Sequence, residues 1–231
     1  MFEVELSAVE PFRNLMKAVG AVVEEGCFNI DGEGMKLLAM DPSHVVMVDF
    51  ELPSGFFDVY ACEGGARLSI RFGDFLKFLD RVERDEGVRI RLEEEKARLA
   101  IRCTRPGHTR RFAMPVLEPL EEEVPQPKIS FKSSARVLTR SLRQAIRDAV
   151  LVSENARIEV AGDEFRISAV GDIGSAYSTW ERGADELLDL MWEEDSGATF
   201  TLSYLKDIVS AASLSSETAT LELSTDMPVR M

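Results

Sequence analysis

Phe28-Asn29-Ile30-Asp31-Gly32-Glu33-Gly34-Met35-Lys36-Leu37-Leu38-Ala39-Met40 returns, 130 residues later, as Ile158-Glu159-Val160-Ala161-Gly162-Asp163-Glu164-Phe165-Arg166-Ile167-Ser168-Ala169-Val170. In both stretches apolar residues alternate with polar ones around a glycine followed by an acid, Gly32-Glu33 and Gly162-Asp163. That is the pattern of two strands joined by a tight turn. Farther on, Val88-Arg89-Ile90-Arg91-Leu92 matches Ala219-Thr220-Leu221-Glu222-Leu223 at an offset of 131, again alternating. A hairpin and a strand repeated at nearly one offset imply an internal duplication, hence two similar α+β domains, each mostly β-sheet.

The halves meet at Pro115-Val116-Leu117-Glu118-Pro119-Leu120-Glu121-Glu122-Glu123-Val124-Pro125-Gln126-Pro127. Its prolines and glutamates favour an extended, solvated connector. The expected division is 1–117, a connector over 118–128, and 129–231. Each half also carries two amphipathic helix patterns. They fall at Phe12, Leu15, Met16, Val19 and Val22, then at Phe72, Phe75, Leu76, Leu79 and Val82. In the second half they fall at Leu138, Leu142, Ala145 and Ala149, then at Tyr204, Leu205, Ile208 and Val209.

The net charge of −14 speaks against nucleic acid until its distribution is read. Arg136, Arg140, Arg143 and Arg147 have the spacing of one helix stripe with no acid between them. Lys77, Arg81 and Arg84 repeat that spacing on the second helix, Arg13 and Lys17 sit four apart on the first, and the fourth offers Lys206. Acids gather elsewhere, as in Glu93-Glu94-Glu95, Glu121-Glu122-Glu123 and Glu193-Glu194-Asp195. An uninterrupted cationic stripe repels itself without an anionic partner. Basic helices on an acidic protein suit a channel holding duplex DNA through its phosphates, without reading bases.

At 231 residues, 45% of them apolar, the chain can build a sizeable core. It contains no run of 18 apolar residues, and Met1-Phe2-Glu3-Val4-Glu5 does not read as a signal peptide. Cys27, Cys62 and Cys103 lack CxxC spacing and read as reduced core residues. An intracellular, cytoplasmic protein without membrane contact is expected. Five Asn and Gln against 29% charged residues resemble proteins from hot environments.

Leu38-Ala39-Met40-Asp41-Pro42-Ser43-His44-Val45-Val46-Met47-Val48 closely resembles the A-M-D-x-S-[HR]-V signature of archaeal and eukaryotic sliding clamps, the proliferating cell nuclear antigen family. Ser168-Ala169-Val170-Gly171-Asp172-Ile173-Gly174 resembles the strand and turn leading to a subunit edge in that family. Met1-Phe2-Glu3, the acidic connector, Ala149 to Ser153 and Asp226-Met227-Pro228-Val229 extend the resemblance over essentially the whole chain.

The resemblance implies a DNA clamp fold: a trimer with pseudo-sixfold symmetry, sheets outside, helices lining the hole around duplex DNA. It implies a non-enzymatic processivity factor of DNA replication and repair, nucleoid-associated in an archaeal cell. Clamp loader, DNA polymerase, flap endonuclease and DNA ligase would dock through clamp-interacting-box peptides. On matching positions the docking pocket would use Met40, His44, Val45 and Met47, with Leu120, Val124 and Pro125 of the connector and Pro228. Subunits would join by pairing a strand over His108, Arg110, Arg111, Phe112 and Met114 with one over Ser175, Tyr177, Thr179 and Trp180. If the second half followed the first throughout, a final strand and tail would continue past Met231, so a missing partner-docking edge is expected.

Other readings compete. Asp41, Ser43 and His44 are hydrolase residue types, but so close on one strand and turn they cannot converge on a substrate. Gly32-Glu33-Gly34 lacks the helix and the basic residue of a phosphate loop. With two histidines and only sequential carboxylates, no metal site or cofactor is expected. A subunit of a mixed ring, or a repair-checkpoint-like relative, remains open.

Overall fold

Alternation at Phe2, Val4 and Leu6 buries one face of the first strand, β1 (Phe2–Leu6), and the same logic builds most of the rest. The computed structural model describes residues 1–119 and 128–231, and the chain divides into two units, Met1–Pro125 and Gln126–Met231.

In the first unit β1 leads to α1 (Glu10–Gly20), β2 (Glu25–Ile30), β3 (Gly34–Met40), β4 (Met47–Pro53), β5 (Val59–Cys62) and β6 (Ala66–Arg71). Then come α2 (Phe72–Leu79), β7 (Gly87–Glu93), β8 (Arg98–Arg105) and β9 (His108–Pro115). They form an antiparallel sheet in the order β5-β1-β7-β8-β9 and another in the order β4-β3-β2-β6. Phe12, Met16 and Val19 of α1 and Phe72, Phe75 and Leu79 of α2 sit at helical spacing and are buried. In the β2–β3 turn the Asp31 carboxylate accepts the N–H groups of Glu33 and Gly34 at 2.8 and 3.2 Å.

The second unit repeats the order with β10 (Ser133–Leu138), α3 (Thr139–Val150), β11 (Asn155–Ala161), β12 (Glu164–Gly171) and β13 (Gly174–Glu181). β14 (Leu187–Trp192), β15 (Ser196–Thr201), α4 (Leu202–Ala212) and β16 (Thr218–Leu223) complete it. Its sheets run β14-β10-β16 and β13-β12-β11-β15. The repeat extends to register. Ile30 faces Met35 as Val160 faces Phe165, and Phe2 faces Leu92 as Ser133 faces Leu223. Beyond β16 a single bridge joins Glu222 to Arg230, where the first unit places β8 and β9. Gly171 allows the β12–β13 hairpin to lie against the segment after α3, because a Cβ there would stand 1.7 Å from the Val152 carbonyl oxygen.

Three helices are shorter than their apolar spacing suggests. Arg136 belongs to β10, where Ala135 and Val137 are fully buried, and α3 starts three residues later. Period two wins there because the strand has partners on both sides, β14 and β16. The second helix stops at Leu79: the N–H groups of Arg81 and Val82 bond three residues back, to Phe78 and Leu79, tightening the chain out of the α-helix. Arg81 and Arg84 therefore lie past its end. Val22 likewise follows the end of α1.

Candidate functional site

The buried stripe of α3, Leu142, Ala145, Ile146 and Ala149, turns the helix so that Arg140 and Arg147 are exposed and Arg143 half-buried. Among the described residues none of the three has a carboxylate within 4.0 Å, and the Nε of Arg143 is buried without a hydrogen-bond partner. Neighbouring guanidinium groups three and four residues apart repel one another, so the helix carries an uncompensated electrostatic load. Lys206 on α4 is also exposed without an ion-pair partner among the described residues.

Cations of the first unit are placed differently. Lys17 reaches Asp80 at 2.8 Å, and Arg13 lies 3.8 Å from the same carboxylate while donating to the Leu79 carbonyl. Lys77 meets Asp74 at 2.8 Å, and that hydrogen bond holds the Asp74 carboxyl below its ordinary pKa. Arg84 stands 3.9 Å from Glu10. Arg81 lends its carbonyl to Arg110. Arg136 is exposed on β10, in register with Asp189 and Thr220.

The turn between β3 and β4 is organised by Asp41, a role its sequence position did not reveal. Its buried carboxylate accepts N–H groups from Ser43 at 3.0 Å, Val45 at 2.6 Å and Val46 at 2.7 Å. Its carbonyl accepts the His44 N–H, and His44 takes a left-handed φ of 56°. Asp41 is thus committed to backbone donors. An Asp-Pro-Ser run opening a turn is the signal that could have found it. Met40 and Met47 pair across the base, both half-buried, whereas Val45 is 65% exposed at the tip. Pro228 is exposed in the second unit, and Leu120, Val124 and Pro125 lie outside the described residues.

β9 and β13 are edge strands of their sheets. Along β9, His108 and Arg111 are exposed, and Phe112 packs on Phe78 with ring centres 5.8 Å apart. Arg110 is held by the buried Glu86, whose carboxyl is pushed below its ordinary pKa chiefly by that hydrogen bond. Along β13, Ser175, Tyr177 and Thr179 are exposed beside Ile173, itself 81% exposed. Met114 and Trp180 are buried in their own units, Trp180 stacking on Phe165 at 5.3 Å. At those two positions the edges offer a neighbour backbone rather than side chain.

Family models for the N-terminal and C-terminal domains of proliferating cell nuclear antigen match residues 1–114 and 126–231. The chain belongs to the proliferating cell nuclear antigen family. Among its relatives, the DNA polymerase sliding clamp of Thermococcus gammatolerans is 30% identical over 231 residues, covering 100% of this chain and 91% of the relative. The sliding clamp of Thermofilum pendens is 30% identical over 220 residues, covering 95% and 88%. The crystal structure of PCNA from Thermococcus kodakaraensis superposes with a TM-score of 0.91 over 99% of this chain and 92% of that one, at 23% identity, and shares the fold. The family has two-domain subunits with sheets and four helices, as found here. No helix among the described residues is long and apolar enough to cross a membrane.

Proposed function

We propose that this chain is a subunit of a DNA polymerase sliding clamp, encircling duplex DNA without sequence preference and tethering replication enzymes to it. The observation that carries the reading is α3, whose three arginines meet no acid among the described residues, in a family whose relatives bear that name. Arg140, Arg143 and Arg147, helped by Lys206, supply phosphate contacts; Arg13, Lys17, Lys77, Arg81, Arg84 and Arg136 play lesser parts because most already face acids. The connector at 118–128 joins two clamp domains. The ring has three subunits, β9 of one pairing with β13 of the next, because exposed edges carry unpaired backbone groups that invite such addition.

Partner enzymes such as a clamp loader, flap endonuclease or ligase dock apolar peptide residues on the β3–β4 turn through Met40, His44, Val45 and Met47. Leu120, Val124, Pro125 and Pro228 contribute the rest. The protein acts by holding molecules together rather than by bond chemistry.

Replacing Arg140, Arg143 and Arg147 together with Ala tests the central claim. Polymerase stimulation and retention on circular DNA at moderate salt should fall while the mass in solution stays that of the wild type. Unchanged stimulation would overturn the assignment. The mass of the chain alone, compared with its mass alongside related subunits, decides between a ring of identical copies and a mixed one. Met40→Asp should abolish binding of a clamp-interacting-box peptide if the turn is the docking site.

A further inference from the structure

The sheet β5-β1-β7-β8-β9 has one face in the core and one in solvent. On β8, Leu99, Ile101 and Cys103 are buried, leaving Arg98, Ala100, Arg102 and Thr104 on the other face. On β9, Thr109, Arg111 and Ala113 share that outer face. Register then lines up Glu5, Arg89, Arg102 and Arg111 side by side across β1, β7, β8 and β9. Glu5 ion-pairs with Arg89, and Glu3 stands 3.7 Å from it. Arg102 and Arg111, directly opposite each other and both exposed, have no carboxylate within 4.0 Å among the described residues.

Like charges directly opposite on antiparallel strands destabilise the pairing. This chain has 41 acids to 27 bases, so two adjacent uncompensated guanidinium groups on a regular sheet run against its own surplus. The rows on either side are small and neutral, Thr104 with Thr109 and Ala100 with Ala113, so both groups stand clear of taller neighbours. Adjacent strands lie about 4.8 Å apart, a separation one carboxylate can bridge by accepting from both guanidinium groups.

We propose that Arg102 and Arg111 form a docking site for a short acidic peptide segment of a partner protein, on the sheet face and apart from the β3–β4 turn. A long polyanion such as DNA fits poorly, because the same face carries acids farther along it: Glu3 and Glu5 on β1, beyond Arg89, and Glu93 at the end of β7, followed by Glu94 and Glu95. Charge complementarity therefore selects a compact anionic motif, and the two planar groups favour carboxylates over a neutral strand.

A fluorescein-labelled hexaglutamate peptide followed by anisotropy tests this at low and then at high salt. The intact protein should bind it saturably at low salt, and Arg102→Ala/Arg111→Ala should weaken binding at least about tenfold. Arg98→Ala should leave it unchanged, since Arg98 already pairs with Glu93. The Arg140, Arg143 and Arg147 triple Ala variant separates this site from the proposed DNA contacts. Retained peptide binding there supports the site whatever becomes of the clamp reading. Loss in that variant but not in Arg102→Ala/Arg111→Ala would overturn it, as would absence of saturable binding or equal displacement by a short duplex. A change of solution mass in Arg102→Ala/Arg111→Ala would also overturn it, placing Arg111 in subunit assembly instead.

Discussion

The β3–β4 hairpin of the first unit and the β12–β13 hairpin of the second occupy equivalent places in the repeat, yet they turn differently. In the first unit residues 41–46 intervene between the strands, wrapped around the Asp41 carboxylate; in the second only Asp172 and Ile173 do. The helices diverge in the opposite sense, since α1 and α2 have their cations tied to Asp80 and Asp74 whereas the α3 arginines meet no carboxylate among the described residues. One scaffold has thus been specialised twice, with an elaborated turn in one copy and an unneutralised helix in the other. Even the cores differ. Phe12 alone meets Phe56, Phe57 and Phe75 within 6.5 Å, whereas the second core is mostly aliphatic around the Phe165–Trp180 stack.

The largest expected effects test whether the cores are as different as they look. Phe72→Ala should cost about 4 kcal/mol and Leu142→Ala about 3 kcal/mol, both fully buried, as read from denaturant midpoints. Equal costs would show that the aromatic cluster relaxes around its cavity better than expected. Next comes the helix contrast. Removing the three α3 arginines should flatten the salt dependence of duplex binding by about 2.7 in log–log slope per copy engaged. Removing Arg13, Lys17 and Lys77 should change it by less, because Asp80 and Asp74 already neutralise them and they displace fewer counterions from the duplex; equal slopes would erase the distinction between the two units.

A smaller effect separates the turns. Asp41→Asn loses a carboxylate acceptor and should weaken peptide docking by about 1–3 kcal/mol, with faster amide exchange at Val45 and Val46 and an unmoved β12–β13 turn. The smallest concerns acid. Glu86 has a folded-state pKa below its unfolded value, so the stability it contributes is present above the unfolded pKa and is lost as pH falls through the folded one. Glu86→Gln should flatten the acid limb of the stability profile below about pH 4.5.

The duplication was legible because alternation and register repeat together: the hairpin at Phe28 and its copy at Ile158 need the same pairing to bury the same faces. Charge spacing was less informative about backbone. Arg136 continues the arginine rhythm of α3, but rhythm carries no information about hydrogen-bond partners, and the buried Ala135 and Val137 decide for a strand. Neither could spacing reveal that Asp80, just past the end of α2, would reach Lys17 on α1, since that contact exists only once the two helices lie together. The signature around Met40 pointed to the β3–β4 turn, although the residue that shapes that turn is Asp41. Leu120, Val124 and Pro125 lie outside the described residues.

Gly171 ties two inheritances together. The hairpin bearing one edge strand leans on the segment that ends the arginine helix, and there is no room for even a methyl group between them. A lineage that acquired a side chain at this position would have to move β13 or the end of α3. A drift in the lie of that edge strand and a drift in how the helix presents its arginines would then arrive as one heritable change rather than two.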